Sequence, residues 1–442
     1  MFILLSANIE FLIYTIYMGL NETPSANRPH IAFFGRRNAG KSSLVNAVTG
    51  QNLALVSSVK GTTTDPVYKA MELLPLGPVV IIDTPGFDDE GELGEMRVEK
   101  TKQVLNKTDI AVLVLDGEIP TDTTLPIEDE IINLFKFKNI PYIAVLNKID
   151  LIKPHTETRR HGEHRENNEE QLCAFASLRE KNGNNFLSVS AKTGFDIDLL
   201  KEKIASLAQT NEPQRRLVAD LLKPNDFVIL VIPIDKAAPK GRLILPQQQV
   251  IRDILETGCA AITVRESELH QLLLNMPITE KKPALVITDS QVFALVSQLV
   301  PQEIPLTSFS ILFARYKGFL ETAIESVTSL DNLKDGEKVL ICEGCTHHRQ
   351  CDDIGTFKIP GMIKNYTKKE INFSFCSGGD FPSDLSIYKL IIHCGCCMLN
   401  ERGMLYRQSL AKKQNIPLTN YGIVIAHITG ILKRSIEVFK LA

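Results

Sequence analysis

Short apolar runs recur along the chain, each closed by glycine or polar residues and most followed by a segment of helical spacing. The first run is Ile31–Phe34, followed by a glycine-containing loop and by SLVNAVTG. Others stand at 79–87 (VVIIDTPGF), 110–118 (IAVLVLDGE), 140–151 (IPYIAVLNKIDL) and 186–194 (FLSVSAKTG). Uninterrupted apolar strands suit a parallel sheet covered on both faces. Residues 195–212 read as the last helix of this part, and the pattern then restarts. FVILVIPID at 227–235, CAAITVRE and PALVITDS read as strands, and IPLTSFSILF as a strand or a strand-to-helix join. AAPKGRLILPQQQ reads as a loop. VIRDILETG reads as a helix with Gly258 just past its end, SELHQLLLNM as a helix with Ser267 at its N-cap, and SQVFALVSQLV as a third. VLICEG at 339–344 and IYKLIIH at 387–393 are further strands, and MLNERGMLYRQSLAKKQ has helical composition. This alternation predicts an α/β protein, a doubly wound N-terminal sheet followed by two smaller α/β domains.

The chemistry sits where the strands end. Gly35-Arg36-Arg37-Asn38-Ala39-Gly40-Lys41-Ser42 matches G-x-x-x-x-G-K-[ST] between a strand and a helix. Backbone N–H groups of such a loop surround a β-phosphate, and the helix N-terminus favours negative charge. Lys41 is expected to reach the β- and γ-phosphates and Ser42 to ligate Mg²⁺, with Ser43 beside them. Gly61-Thr62-Thr63-Thr64-Asp65-Pro66 is a polar loop from which Thr63 can swing onto Mg²⁺ and the γ-phosphate. Asp83-Thr84-Pro85-Gly86 ends the next strand. Asp83 can hold a Mg²⁺-bound water and the Gly86 N–H can meet the γ-phosphate. DDEGELGE follows as a second switch segment. Phe87 stands where some GTPases keep a water-orienting Gln, which predicts slow intrinsic hydrolysis.

Asn147-Lys148-Ile149-Asp150 selects the base. A carboxylate at Asp150 accepts from guanine N1–H and the exocyclic amine, a donor pair adenine lacks. Ser190-Ala191-Lys192 ends a later strand and can meet the guanine O6 edge. With the GTTxD and DTPG segments, this set resembles small bacterial GTPases related to translation factors. That resemblance implies a role for Asn38 in holding a K⁺ ion that stimulates hydrolysis. HTETRRHGEHRENNEEQ at 155–171 reads as a solvated insertion.

Composition narrows the function. A formal net charge of −3 and no Lys/Arg stripe in 310–442 argue against a nucleic-acid partner. Residues 1–17 are apolar but short for a membrane span, are interrupted by Glu10, and lack a basic flank and a cleavage site. They read as an extension from an upstream start, with Met18 as the true beginning, and the expected location is cytoplasmic. Seven of the nine cysteines lie after residue 340, as thiols in a reducing compartment would. The middle stretch carries no catalytic set and reads as a self-association surface. Lys236, Lys240 and Arg242 there read as a solvated or interface loop.

In the last part, VLICEG delivers Cys345-Thr346-His347-His348, and IYKLIIH delivers Cys394-Gly395-Cys396-Cys397. Cys345, Cys394 and Cys397 can converge with His347 or His393 nearby. An i, i+3 spacing at a helix start would set both thiolates of Cys394 and Cys397 on one side, where the helix dipole favours an anionic centre. Three thiolates and a histidine fit structural Zn²⁺ and equally an iron–sulfur cluster with an unusual fourth ligand. Cys342, Cys351, Cys376 and Cys396 are alternate ligands by residue type but read first as packing residues.

From Met18 to the C-terminus, the GTPase motifs joined to C-T-H…H-C-x-x-C resemble the [FeFe]-hydrogenase maturation GTPases. The resemblance implies three domains: a P-loop GTPase domain at 18–211, a dimerisation domain at 212–310 and a cluster-binding domain at 311–442. It implies a [4Fe-4S] cluster on Cys345, Cys394 and Cys397, with His347 or His393 as a candidate fourth ligand. It also implies a homodimer or higher homo-oligomer that acts as scaffold and carrier. Such a chain receives a di-iron subcluster through radical-SAM maturases and delivers it to apo-[FeFe]-hydrogenase. The competing reading is a ribosome- or tRNA-associated GTPase with structural zinc. A redox enzyme using C-x-x-C thiols would need a pair free of metal.

Overall fold

A computed structural model describes residues 23–50, 66–87, 101, 103–117, 126–151, 183–208, 215–234, 243–275, 282–344, 353–378 and 380–440. Thr63, Lys236, Lys240, Arg242, Cys345, His347, Cys351 and the segments 1–17, 88–95 and 155–171 lie outside them. The chain forms two compact units, Met1–Asn211 and Glu212–Ala442.

The first unit is built on six strands: β1 (His30–Gly35), β2 (Val67–Leu73), β3 (Gly77–Asp83), β4 (Ile110–Asp116), β5 (Tyr142–Asn147) and β6 (Phe186–Ser188). Their order is β2-β3-β1-β4-β5-β6. β2 runs antiparallel to β3, and the other pairings are parallel. Period-2 alternation explains the continuous apolar runs. Ile31 and Phe33 enter the core on one face, with Leu44 of α1 (Lys41–Thr49) and Leu200 of α3 (Ile197–Ala208). Ala32 and Phe34 enter the core on the other face, with Phe135 of α2 (Pro126–Phe137). The edge strand β2 is exposed along most of its length, so its sequence is mixed.

The second unit holds two four-stranded parallel sheets. The first has β7 (Phe227–Val231), β8 (Ala260–Val264), β9 (Leu285–Thr288) and β10 (Leu306–Ser308), in the order β10-β9-β7-β8. Its helices are α4 (Leu245–Glu256), α5 (Glu266–Asn275), α6 (Phe293–Leu299) and α7 (Phe309–Tyr316), and α8 (Leu320–Val327) follows and packs against the second sheet. The second sheet has β11 (Lys338–Glu343), β12 (Asn372–Ser377), β13 (Leu390–His393) and β14 (Leu418–Asn420), in the order β12-β11-β13-β14. It is covered by α9 (Ile359–Thr367), α10 (Glu401–Lys413) and α11 (Tyr421–Ile428), while α12 (Leu432–Ile436) packs back on β10 of the first sheet. Ile229 and Val286 of the first sheet share one apolar core with Leu340, Ile391 and Val424 of the second.

The two sheets are copies of one design. Read from the far edge, β8-β7-β9-β10 and β12-β11-β13-β14 have the same order and the same chain sequence. IPLT opens both final strands, at 304–307 and 416–419. At the same offset, Ile311, Ala314, Gly318 and Leu320 recur as Ile423, Ala426, Gly430 and Leu432. Gly318 and Gly430 end the matching helices with φ of 76° and 74°, in the left-handed region. Ser308 caps α7 by accepting from the Ile311 N–H, and Asn420 caps α11 by accepting from the Ile423 N–H. The copies meet at these caps, where Asn420 Nδ2 donates to the Ser310 carbonyl at 2.8 Å.

Three local expectations change. α4 begins at Leu245, inside the expected loop, because Pro246 is tolerated in a first turn and the Gln247 side chain accepts from the Ile244 N–H at 3.0 Å. α5 begins at Glu266, so Ser267 lies within its first turn and is not the cap. Cys394 and Cys397 do not sit at a helix start. Cys396 is left-handed, with φ of 60°, and α10 begins only after Asn400, whose side chain accepts from the Gly403 N–H.

Candidate functional site

In the first unit the strand ends bring the sequence motifs to one place. Gly40 has φ of 85° and α1 starts directly after it. A Cβ at Gly40 would collide with Asn147 Nδ2, so the loop and the N-K-x-D strand end fit only with glycine there. Asn147 Nδ2 donates to the Ala39 carbonyl at 3.1 Å, while its Oδ1 accepts from the Ala191 N–H at 3.1 Å. One buried amide therefore ties three motifs together. Ser190 Oγ donates to Asp150 Oδ1 at 2.6 Å and accepts from the Thr193 N–H at 3.1 Å, which orients the exposed carboxylate. Lys148 Nζ reaches Asp116 Oδ2 at 2.9 Å. These groups border a cavity of about 690 Å³ with Gly40, Ser43, Asn147, Lys148, Asp150 and Lys192 in its wall, a size suited to a small-molecule ligand.

At the other end of the loop, Lys41 Nζ donates to the Gly35 and Arg36 carbonyls at 2.9 and 2.7 Å. Ser42 Oγ donates to Asp83 Oδ2 at 2.6 Å. Asp83 is buried, and its Oδ1 has no hydrogen-bond partner among the described residues. Burial pushes its carboxyl above the usual range, against the Ser42 hydrogen bond and the Lys41 charge. A buried unpaired carboxylate oxygen beside a serine hydroxyl fits a hydrated divalent cation. Asn38 is exposed with φ of 63°. Gly86 follows the β3 end, and Phe87 is buried in the core on the Phe34 face.

The motifs do not reveal the support of the loop. Arg36 donates to both oxygens of Glu128 on α2, at 2.5 and 2.9 Å, and Glu128 is 1 % exposed. Glu128 carries no motif. Its only signal is an acidic residue in a helix first turn.

The cysteine loop of the second unit lies between the two copies. Gly395 abuts Ser310 and Phe313 of α7, and Cys397 packs against the core that contains Phe313. Cys394 Sγ accepts the Gly344 N–H at 3.1 Å and the Cys396 N–H at 3.4 Å. Its thiol is held well below the usual range, first by a hydrogen bond from the Cys396 thiol and then by His393 and the Gly344 N–H, against its burial. Burial pushes Cys396 well up and Cys397 up to about 12. Ligand atoms of His393, Cys394 and Cys396 lie within 4.8 Å of one another. Arg407, itself buried, donates to His393 Nε2 at 2.6 Å. Nδ1 then carries the ring proton, facing Cys396 Sγ at 3.0 Å and the Cys394 carbonyl at 3.3 Å. Metal ligation by His393 would require giving up one of these contacts. Lys317 is buried too, and its charge favours the thiolates of Cys396 and Cys397.

Lys317, Arg407 and Tyr421 were not legible as site residues, since each reaches this layer from a different helix or helix end. The Tyr421 hydroxyl is buried without a hydrogen-bond partner among the described residues. A Cβ at Gly355 would meet it and would lie 2.8 Å from Glu343 Oε1, so Gly355 is where the chain can pass.

Among the described residues, no helix is long and apolar enough to cross a membrane. Residues 30–148 match the family of 50S ribosome-binding GTPases. GTPase Der of Wolinella succinogenes is 35% identical over 188 residues, 42% of this chain and 36% of that protein. The tRNA modification GTPase MnmE of Endomicrobium trichonymphae is 28% identical over 55% of this chain and 48% of its own length. The chain thus spans about half or less of the length of these relatives. Among solved structures, Era of Aquifex aeolicus bound to GDP and AlF4− is 23% identical, covering 53% of this chain and 92% of its own at a TM-score of 0.34. The C-terminal half matches other families. Residues 217–318 match the hydrogen maturase F dimerization domain and 321–438 the hydrogen maturase F tetramerization domain. These two assignments fall one on each copy of the duplicated sheet, behind a GTPase domain, and with that order the chain belongs to the hydrogen maturase F family.

Proposed function

We propose that this chain is a Mg²⁺-dependent GTPase and a scaffold that carries a [4Fe-4S] cluster and delivers a di-iron subcluster to apo-[FeFe]-hydrogenase. The observation that carries the scaffold reading is Cys394 at the end of β13, whose Sγ accepts two backbone N–H groups and whose thiol is held well below the usual range, first by the Cys396 thiol and then by His393 and the Gly344 N–H. A thiolate with buried cations nearby suits an anionic iron–sulfur centre. Cys345, Cys394 and Cys397 are the assigned ligands, and bound metal would draw the proton from Cys397. His393, engaged at both nitrogens, positions Cys396 and the loop and leaves the fourth position to another group, with His347 as the remaining histidine candidate.

In the GTPase unit, the loop 35–42 and Ser43 take the phosphates, Lys41 and Gly86 the γ-phosphate, and Ser42, Thr63 and Asp83 the Mg²⁺ shell. Asn147, Lys148, Asp150, Ser190, Ala191 and Lys192 take the guanine. With Phe87 in the core, no side chain at that position orients the attacking water. Asn38 and a K⁺ ion are assigned to the transition state, and equal hydrolysis rates in Na⁺ and K⁺ would refute this. Nucleotide state alters partner affinity only through the difference in GTP affinity between the two states. The partners are further copies of the chain, radical-SAM maturases and apo-hydrogenase, in the cytoplasm. The three-domain division at 211 and 310 belongs to the same reading.

The test is anaerobic reconstitution with iron and sulfide, then metal analysis and EPR after reduction. A reduced [4Fe-4S] signal, lost in Cys345→Ala, Cys394→Ala and Cys397→Ala, is expected. One zinc per chain with no iron signal would overturn the scaffold reading and leave a GTPase with structural zinc.

A further inference from the structure

The second copy of the sheet carries a row of side chains that the first copy lacks. Strand register aligns Cys376, Cys342, His393 and Asn420 across β12, β11, β13 and β14. The matching row of the first copy is Val264, Val231, Thr288 and Ser308. Residues in register on parallel strands project to the same face. A valine pair in one copy is thus a cysteine pair in the other. Packing alone does not call for two thiols, because valines fill the same slot in the first copy.

The Sγ atoms of Cys342 and Cys376 lie 3.1 Å apart, inside van der Waals contact for two sulfurs. Adjacent strands stand about 4.8 Å apart, within the roughly 4.4–6.8 Å that Cα atoms span in disulfides. We propose that Cys342 and Cys376 form a reversible dithiol–disulfide pair, oxidised by small-molecule disulfides and restored by thiols. This goes beyond the cluster reading and does not depend on it.

The order of events follows from exposure. Cys376 is 8 % exposed on the edge strand β12, whereas Cys342 is 0 % exposed on the strand inside it. The Cys376 thiolate attacks one sulfur of a disulfide RSSR, forming a mixed disulfide and expelling RS⁻. Cys342 then gives up its proton and attacks Cys376 Sγ, forming the protein disulfide and expelling the second RS⁻. The dithiol loses two electrons and two protons, and RSSR leaves as two RSH. The new bond ties β12 to β11, which leads through Glu343 to the Gly344 N–H on Cys394.

The full-length protein is treated anaerobically with glutathione disulfide, quenched in acid, unfolded and alkylated, and its peptides are mapped. The expected result is loss of two alkylatable thiols, with the peptides of Cys342 and Cys376 linked and the link removed by dithiothreitol. Full alkylation of both residues, or a link from either one to Cys394, Cys396 or Cys397, would overturn the proposal. Cys342→Ser should stop at one glutathione on Cys376, and Cys376→Ser should take none on Cys342. Glutathione on Cys342 in the latter variant would overturn the order of attack. The wild-type measurement stands even if a variant fails to fold.

Discussion

The nucleotide pocket and the cysteine layer lie at strand ends of parallel sheets, yet they gather their chemistry differently. In the pocket, the glycine loop, the N-K-x-D strand end and the 190–192 loop each bring their groups as contiguous stretches, and one amide, Asn147, links the three. In the cysteine layer only 393–397 is contiguous, and the groups that surround it come one at a time. Cys394 follows β13, Gly344 follows β11, Arg407 stands on α10 and Lys317 follows α7. A site made of local segments survives in sequence as motifs. A site made of single groups from four elements leaves only spacing, which tertiary packing then interprets.

That contrast can be broken first at Glu128, a distant side chain on which the phosphate loop leans. Glu128→Ala leaves the Arg36 guanidinium without its bidentate partner, and should cost about 3–5 kcal/mol in a urea titration. An unchanged midpoint would show the loop to be self-supporting. Next, Asp150→Asn should weaken GTP binding by about 100-fold, since its amide cannot accept both guanine donors. Reconstituted iron per chain should be unchanged, whereas Cys394→Ala should do the reverse.

Asp83→Asn should lower Mg²⁺-dependent hydrolysis by about 10–100-fold yet stabilise the nucleotide-free protein. Burial raises the Asp83 pKa in the folded state, so the folded state binds its proton more tightly than the unfolded chain. Stability should therefore fall as pH rises from about 4 through the raised value, then stay at the lower level. The Asn variant should lack this component of the slope in urea titrations across that range. The smallest effect is expected at Asn400, whose side chain accepts from the Gly403 N–H. Asn400→Ala should cost about 1 kcal/mol, read as a lower thermal midpoint, and it tests how far the cysteine loop depends on the helix after it.

Several elements escaped the sequence reading for physical reasons. β12 (NFSFCS) is an edge strand that is mostly not buried, so it lacks the apolar run that marked β11 and β13. β14 is three residues long and its helix begins at once, so period 2 and period 3.6 overlap there, the same overlap that made IPLTSFSILF read as a strand or a strand-to-helix join at β10. The expected helix start at Cys394 rested on i, i+3 spacing, which a left-handed Cys396 breaks. The IPLT repeat was in view but short, and the shared strand order is what turns it into a duplication.

The sequence by itself determined the α/β class, the order of the strands that carry motifs, and the phosphate and base loops, because each depends on neighbours within a few residues. Only the tertiary structure decided the rest. It paired Arg36 with Glu128, set Cys342 beside Cys376, and turned both His393 nitrogens toward protein groups. Those contacts join residues that strand register and helix docking bring together, and such long-range geometry has no signature in local order.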